Sequence, residues 1–368
     1  MSQQRVIVST STLIIAVVIG LLLVLLWQLR SLIVVLMIAL VLAAALAPII
    51  DKAENLNIPR WLAVLLVYLG LIAGLTGVGI LIGPAVVEQI QSLFRRLPAY
   101  LAVLESLSDN LEERLGLTNS FIGDLFDSQT VLNWLIGSSR QLLVRSYGVT
   151  RGIVGGAINV FLVLLISIYM LSGANKLIDS LVSLFPHPWN RRLKAQVTPV
   201  SQRMGGYIQG RVLVSIILGI AVSIGLRILG LSEFALGLGA IAAVTNLIPF
   251  FGPILGAIPA LIVALAQGGW LFLWVLLLFV IIQNVETYLL DPLLVGNTVK
   301  VYPLYQLLAV LGGAQVLGIV GAVIVPPWVA GASVLLNNLY LRPKKISEQQ
   351  AIEPDAPETN NDSSKNGI

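Results

Sequence analysis

From Val6 to Trp27 the chain runs without a single charged side chain. A hydrocarbon layer of about 30 Å needs roughly 20 apolar residues per helix. Segments 31–50, 61–87, 152–172 and 212–230 fit the same measure, and 270–290 makes a sixth. Two further apolar regions do not fit it. Residues 235–267 and 303–336 each exceed one ordinary span, yet each is too short for two. Helix, break, helix is the predicted arrangement in both, either as a kinked crossing or as a re-entrant hairpin.

The breaks are written in glycine and proline. The first comes after Thr245 and Asn246 and holds Pro249, Gly252, Pro253, Gly256 and Pro259. The second holds Gly312, Gly313, Gly318, Gly321, Pro326 and Pro327, with Gln315 among them. Irregular backbone survives at membrane depth only where protein buries it or water reaches it. Paired interruptions in matching places point to a transporter's substrate path. If both regions are hairpins, 212–267 and 270–336 become span-plus-hairpin units of opposite orientation, an inverted repeat. If both cross fully, the parity is the same, and the side on which residues 291–302 lie decides between them.

Composition agrees with a chain that lipid solvates. Of 368 residues, 57% are hydrophobic and 11% charged, against about 25% charged in a soluble domain. The fold class implied is an all-α polytopic membrane protein of about eight membrane segments, two of them broken or re-entrant. With no cysteine and one histidine, His187, thiolate chemistry, His-centred triads and zinc sites are disfavoured. No P-loop, Gly-x-Ser-x-Gly or His-Glu-x-x-His motif occurs, so neither nucleotide-driven transport by this chain nor hydrolysis is indicated. No cofactor, metal or nucleic-acid partner is implied. The partners expected are the bilayer, a small polar solute, and H⁺ or Na⁺ as a coupling ion.

Charge placement predicts topology. Residues 173–211 carry Lys176, Arg191, Arg192, Lys194, Arg203 and Arg211 against Asp179 alone. Lys52 and Arg60 lie between the second and third spans, and Arg342, Lys344 and Lys345 come after the last. All three places share one face if both termini are cytoplasmic and the N-terminal run is a retained helix rather than a cleaved signal. The domains expected are residues 1–87, with three spans; 88–151, a small extracytoplasmic region of amphipathic helices; 152–342, a transport core with a basic cytoplasmic loop at 173–211; and 343–368, a disordered tail. Within 88–151, Pro98 is expected to kink or end a helix, and Thr118 to Ser120 to start another.

Only one carboxylate lies inside an apolar span. Glu286 comes after a long uncharged run and has Gln283, Asn284 and Asp291 for neighbours. A charge at a helix centre costs about 2.5 to 3.5 kcal/mol to insert, which favours a site facing protein or water. Either a substrate or proton site, or an anchor at the water boundary, accounts for it. Asn284 and Asp291, seven apart, are expected on one helix face. Asn246 and the turn from Pro249 to Pro259 are expected to line a solute path, with Gln283, Asn284 and Glu286 opposite; Gly312, Gly313 and Gln315 extend it. A proline kink stabilised by neighbouring helices is the plainer alternative.

These residues resemble the autoinducer-2 exporter family, also described as PerM-type permeases. Gly206-Tyr-Ile-Gln-Gly-Arg211 is similar to the family's entry to its central helix. Asn246 to Pro259 resembles its Pro-x-x-Gly-Pro-x-x-Gly signature, and Glu286 to Pro292, Gly296, Pro303, Gly312, Gly313, Gly318, Gly321 and Pro326 resemble the later series. The resemblance implies a multi-pass inner-membrane homo-oligomer, a pentamer being one candidate, that exports a small polar molecule such as autoinducer-2. It also leaves room for Na⁺(Li⁺)/H⁺ exchange. Pro326-Pro327 departs from the commoner single proline, and the second is expected to tighten the break.

Overall fold

A computed structural model describes residues 10–115, 146–296 and 303–352. Among them, every regular element is helical. Helices α1 (Thr10–Gln28), α2 (Arg30–Glu54), α3 (Arg60–Leu115) and α4 (Ser146–Ser172) precede a short α5 (Ala174–Ser183). Then come α6 (Trp189–Ile228), α7 (Ala235–Thr245), α8 (Gly252–Gln267), α9 (Leu271–Val285), α10 (Pro303–Leu336) and α11 (Arg342–Ile352). Two π-helical stretches, Glu286–Gly296 and Asn337–Leu341, continue α9 and α10. Helices dominate because lipid offers backbone groups no partners, so each segment must satisfy its own.

The helices α2, α3, α6 and α9 with its π continuation are each long and apolar enough to cross a membrane, and α10 with its continuation to Gln349 reaches that length only with both arms of its bend counted together. Their large apolar side chains are widely exposed, as at Leu81, Val316 and Ile319. This is the surface of a chain solvated by lipid: an all-α polytopic membrane protein. Contacts inside it use small residues, because close backbone approach replaces the hydrophobic drive that lipid removes. A Cβ added at Gly205 would collide with the Ala44 backbone of α2.

One long-range bond sets the α2–α3 turn beside the end of α4. Arg60 Nε donates to Leu171 O at 2.9 Å, and the same guanidinium pairs with Asp51 and Glu54. The polar turn between α2 and α3 therefore shares a level with the end of α4. Deeper in, Tyr68 Oη donates to Ser167 Oγ at 2.5 Å, tying α3 to α4. At the opposite boundary Arg96 grips Glu233 of the α6–α7 connection through two bonds, 2.5 and 3.1 Å.

The regions 235–267 and 303–336 are both helical hairpins. At about 16 and 24 Å, neither α7 nor α8 is long enough to cross. They lie antiparallel, with Gly256 facing Ala242 and Thr245. In the second region the bend is at Gly318, at φ 65° and ψ −150°. Gly313 and Gly321 stand so close that a Cβ on either would strike the other's carbonyl oxygen. In a straight helix residues eight apart are about 12 Å distant, so α10 folds back on itself. Pro327, expected to tighten the break, lies buried with Pro326 in the continuing helix beyond it. Glycine alone reaches the Gly318 conformation, and proline does not supply it.

The hairpins enter from opposite sides. The first opens at the Arg96–Glu233 boundary and runs antiparallel to α6, with Gly239 against Gly219 and Asn246 reaching Arg211. The second opens beside the basic half of α6, where Asn338 donates to Gln196 at 2.7 Å and Gln306 donates to Tyr207 at 3.2 Å. Residues 291–296 lie on that same basic side, with Gly210 packed against the Leu294 backbone. This is the span-plus-hairpin arrangement in opposite orientations.

Elsewhere the structure differs from the reading of the sequence. α3 continues unbroken past residue 87 and through Pro98, for about 84 Å in all; Thr118 to Ser120 lie outside the described residues. The connection 173–211 is mostly helix, formed by α5 and the first half of α6. Residues 342–352 form α11 rather than an unstructured tail, with a Lys344–Glu348 pair at 3.7 Å one turn apart.

Candidate functional site

Helix α6 crosses with an arginine at its middle. Arg211 ends the polar half and opens the apolar one, and its side chain is 5% exposed. Its Nη1 donates to Glu286 Oε1 at 2.9 Å, and its Nη2 donates to Asn246 Oδ1 at 3.3 Å. Asn246 Nδ2 donates to the same Glu286 oxygen at 3.2 Å. The three side chains close a ring of bonds across α6, the first hairpin tip and the end of α9. Arginine's planar fork allows one side chain to hold two acceptors at once.

Asp291 joins from the other edge, its Oδ1 lying 3.6 Å from Arg211 Nη1. Five residues in an α-helix turn through about 140° of net rotation. That would aim Glu286 and Asp291 apart. The π-helix from Glu286 closes its turns between residues five apart, which swings Asp291 back toward the same guanidinium. Pro292 lacks an N–H and crowds the preceding turn, which disfavours α geometry there. Seven-residue spacing therefore no longer keeps Asn284 and Asp291 on one face. Asn284 points to solvent or lipid and donates to its own Val280 O at 2.7 Å.

Backbone shape delivers Asn246 to this point. α7 ends at Thr245, and Phe250 in the succeeding turn adopts φ 66°. Gly252 packs where a Cβ would strike the Thr245 carbonyl oxygen. Pro249 and Gly256 are buried, while Pro253 and Pro259 are half-buried on α8. Of the expected site residues, Asn246 and Glu286 thus meet directly, and Gly252 and Gly256 set the tip. Gln283 donates to Thr287 of the π-helical continuation at 3.3 Å. Gly312 has open space around it, Gly313 packs on Gly321, and Gln315 is exposed near the second tip. The second hairpin does not reach the ring through those residues; Gln306 bonds Tyr207, one turn of α6 from Arg211.

Arg211 is the member of the ring that the sequence reading placed elsewhere, among the basic residues of the 173–211 connection. A signal existed. A lone carboxylate in an apolar span needs a partner, and of the basic residues in 173–211 Arg211 is the one that directly abuts the apolar run 212–230. Polar capacity is left over around the ring. Arg211 Nε, Glu286 Oε2, Asp291 Oδ1 and Ser215 Oγ, one turn further along α6, are buried without a hydrogen-bond partner. Buried unsatisfied groups of this kind cost free energy unless something completes them. No group of three or more potential metal ligands occurs among the described residues.

Similar proteins extend over most of the chain. YueF and YrrI of Bacillus subtilis (strain 168), each named a candidate transport protein, are both 28% identical. They cover 84% and 83% of this chain and 84% and 86% of their own lengths. A Synechocystis protein of the same description, sll0060, is 25% identical over 78% of the chain and 82% of its own length. The model of the AI-2E family transporter matches residues 13–341, and the chain belongs to that family.

Proposed function

We propose that this protein is a secondary permease that exports a small polar solute, such as an autoinducer-2-like signal molecule, beside the tip of its first hairpin. The observation that carries this reading is the closed ring of Arg211, Asn246 and Glu286 at a helix break, with buried donors and acceptors left over. Two hairpins entering from opposite sides form the kind of inverted, discontinuous arrangement that supports alternating access. Gly252, Gly256, Pro249, Pro253 and Pro259 shape the path beside the ring; Gln283 stands about one turn before Glu286, and Asn284, Gly312, Gly313 and Gln315 stand apart from the ring. The protein works as a permease rather than an enzyme, as a homo-oligomer in a bacterial inner membrane with both termini cytoplasmic. The family's name and the coarse description of its relatives support transport; the solute and its direction are ours.

Flux in vesicles containing the purified protein tests this. The expected outcome is uptake or release of labelled autoinducer-2 that falls at least tenfold in Asn246→Ala, with folding checked by thermal melting. No flux of signal molecule or cations in the wild type would refute transport at this site. A comparison of solutes retained by cells with and without the protein then identifies the natural cargo.

A second reading, Na⁺(Li⁺)/H⁺ exchange, is favoured by one observation: two carboxylates share a single guanidinium, each with an oxygen left unbonded. Glu286→Gln abolishes proton-coupled cation exchange on this reading, whereas a passive exporter retains much of its flux.

A further inference from the structure

Helix α5 leaves the end of α4 at an angle of 82°. α4 has 27 residues, of which the uncharged stretch 152–172 alone has the length of a span, so α5 is read as a separate element rather than as the second half of a broken span. Spans tilt on average about 20° from the bilayer normal. A helix turned 82° from one therefore lies close to the membrane plane. Its depth is fixed as well, because Leu171 at the end of α4 is bonded to Arg60 of the polar α2–α3 turn. α5 begins at that boundary.

Its sequence divides cleanly in two. Leu177, Ile178, Leu181 and Val182 recur at three- and four-residue spacing, with Leu184 and Phe185 just past the helix end, while Asn175, Lys176, Asp179, Ser180 and Ser183 occupy the other side. Ile178 and Val182 are half-buried, yet no residue of α5 is fully buried. Leu181 is 54% and Leu184 77% exposed. An apolar edge is thus left uncovered, and it continues into exposed Trp189 at the start of α6.

Cations flank this edge. Lys194 is balanced by Asp179 at 2.5 Å, and the Arg192 guanidinium lies 5.8 Å from the Trp189 ring centre. Lys176 and Arg191 are exposed and form no ion pair among the described residues. An apolar edge, an interfacial tryptophan and unbalanced cations are the features of a helix that lies in an anionic lipid surface.

We propose that α5 and the start of α6 form an interfacial anchor, with Leu177, Leu181, Leu184 and Phe185 in the upper acyl region. Lys176 and Arg191 hold anionic phospholipid headgroups. Water on this edge would leave a row of leucines exposed beside a membrane, and the unbalanced charge selects an anionic lipid over a zwitterionic one. This surface is separate from the Arg211 site and does not depend on the transport reading.

The native chain contains no cysteine, so single reporters can be placed in otherwise unaltered protein. Leu181→Cys, Leu184→Cys and Ser183→Cys are labelled with a fluorophore and reconstituted into phosphatidylcholine vesicles containing phosphatidylglycerol. Nitroxide-bearing lipids are expected to quench the labels at 181 and 184, and aqueous iodide the label at 183. Nitroxide on phosphatidylglycerol should quench more strongly than on phosphatidylcholine. That preference should fall about fivefold for each charge removed in Lys176→Gln and Arg191→Gln, the factor matching roughly 1 kcal/mol per basic residue at an anionic surface. Iodide quenching at 181 and 184 would overturn the anchor. So would shielding of both from lipid and iodide alike, which would mean that protein, such as a second copy of the chain, covers this edge. Equal quenching by the two lipids would overturn the headgroup assignment.

Discussion

Arg211 and Glu286, 75 residues apart in the chain, meet at 2.9 Å with neither side chain more than 5% exposed. Removing one member of such a pair strands the other in a low-dielectric interior. Replacing both with apolar residues removes that penalty, so stability and transport can be separated.

Glu286→Ala and Arg211→Ala should each lower stability in detergent by about 3 to 5 kcal/mol. The double variant Arg211→Met with Glu286→Leu should regain most of that loss and still fail to transport. Thermal melting paired with vesicle flux checks both halves. Recovered flux in the double variant would remove these residues from the path.

Gly318→Ala should destabilise the second hairpin by about 1 to 3 kcal/mol, since a side chain is strained at φ 65° and ψ −150°. Gly312→Ala is its control, because nothing lies within 4 Å of the added carbon. That change should stay within about 1 kcal/mol. The two melting curves, run side by side, test where the turn lies.

At the first tip, Gly252→Ala should cost about 1 to 3 kcal/mol through overpacking against Thr245 and Asn246. Flux should fall more steeply than stability, because the shift displaces Asn246 from the ring. A variant with normal flux despite the lower melting point would show that Asn246 need not be held where it is.

Arg96 and Glu233 are each about half exposed, so their pair should contribute about 0 to 1 kcal/mol. Arg96→Ala should leave vesicle flux unchanged and shift melting slightly, with the difference shrinking as salt is raised. A large flux defect would assign the contact of α3 with the α6–α7 connection a role in the transport cycle.

The apolar runs by themselves determined that this chain spans a membrane as helices, because lipid leaves a backbone no other partner. They also located both breaks, since glycine and proline at such depth have local consequences that one segment reveals. Asn246 and Glu286 were legible for a related reason: each is polar where polarity is costly. The group that joins them was not. Arg211 looks like one more cation of a basic connection until α6 carries it to the first hairpin's tip. Asp291 faces it only because the chain leaves α geometry after Val285, a change in winding that spacing along the sequence does not record. The position of the second turn at Gly318, within the broken stretch from Gly312 to Pro327, depends on Gly313 meeting Gly321. Pairings between distant segments rest on packing, and packing is decided only when all the helices are in place.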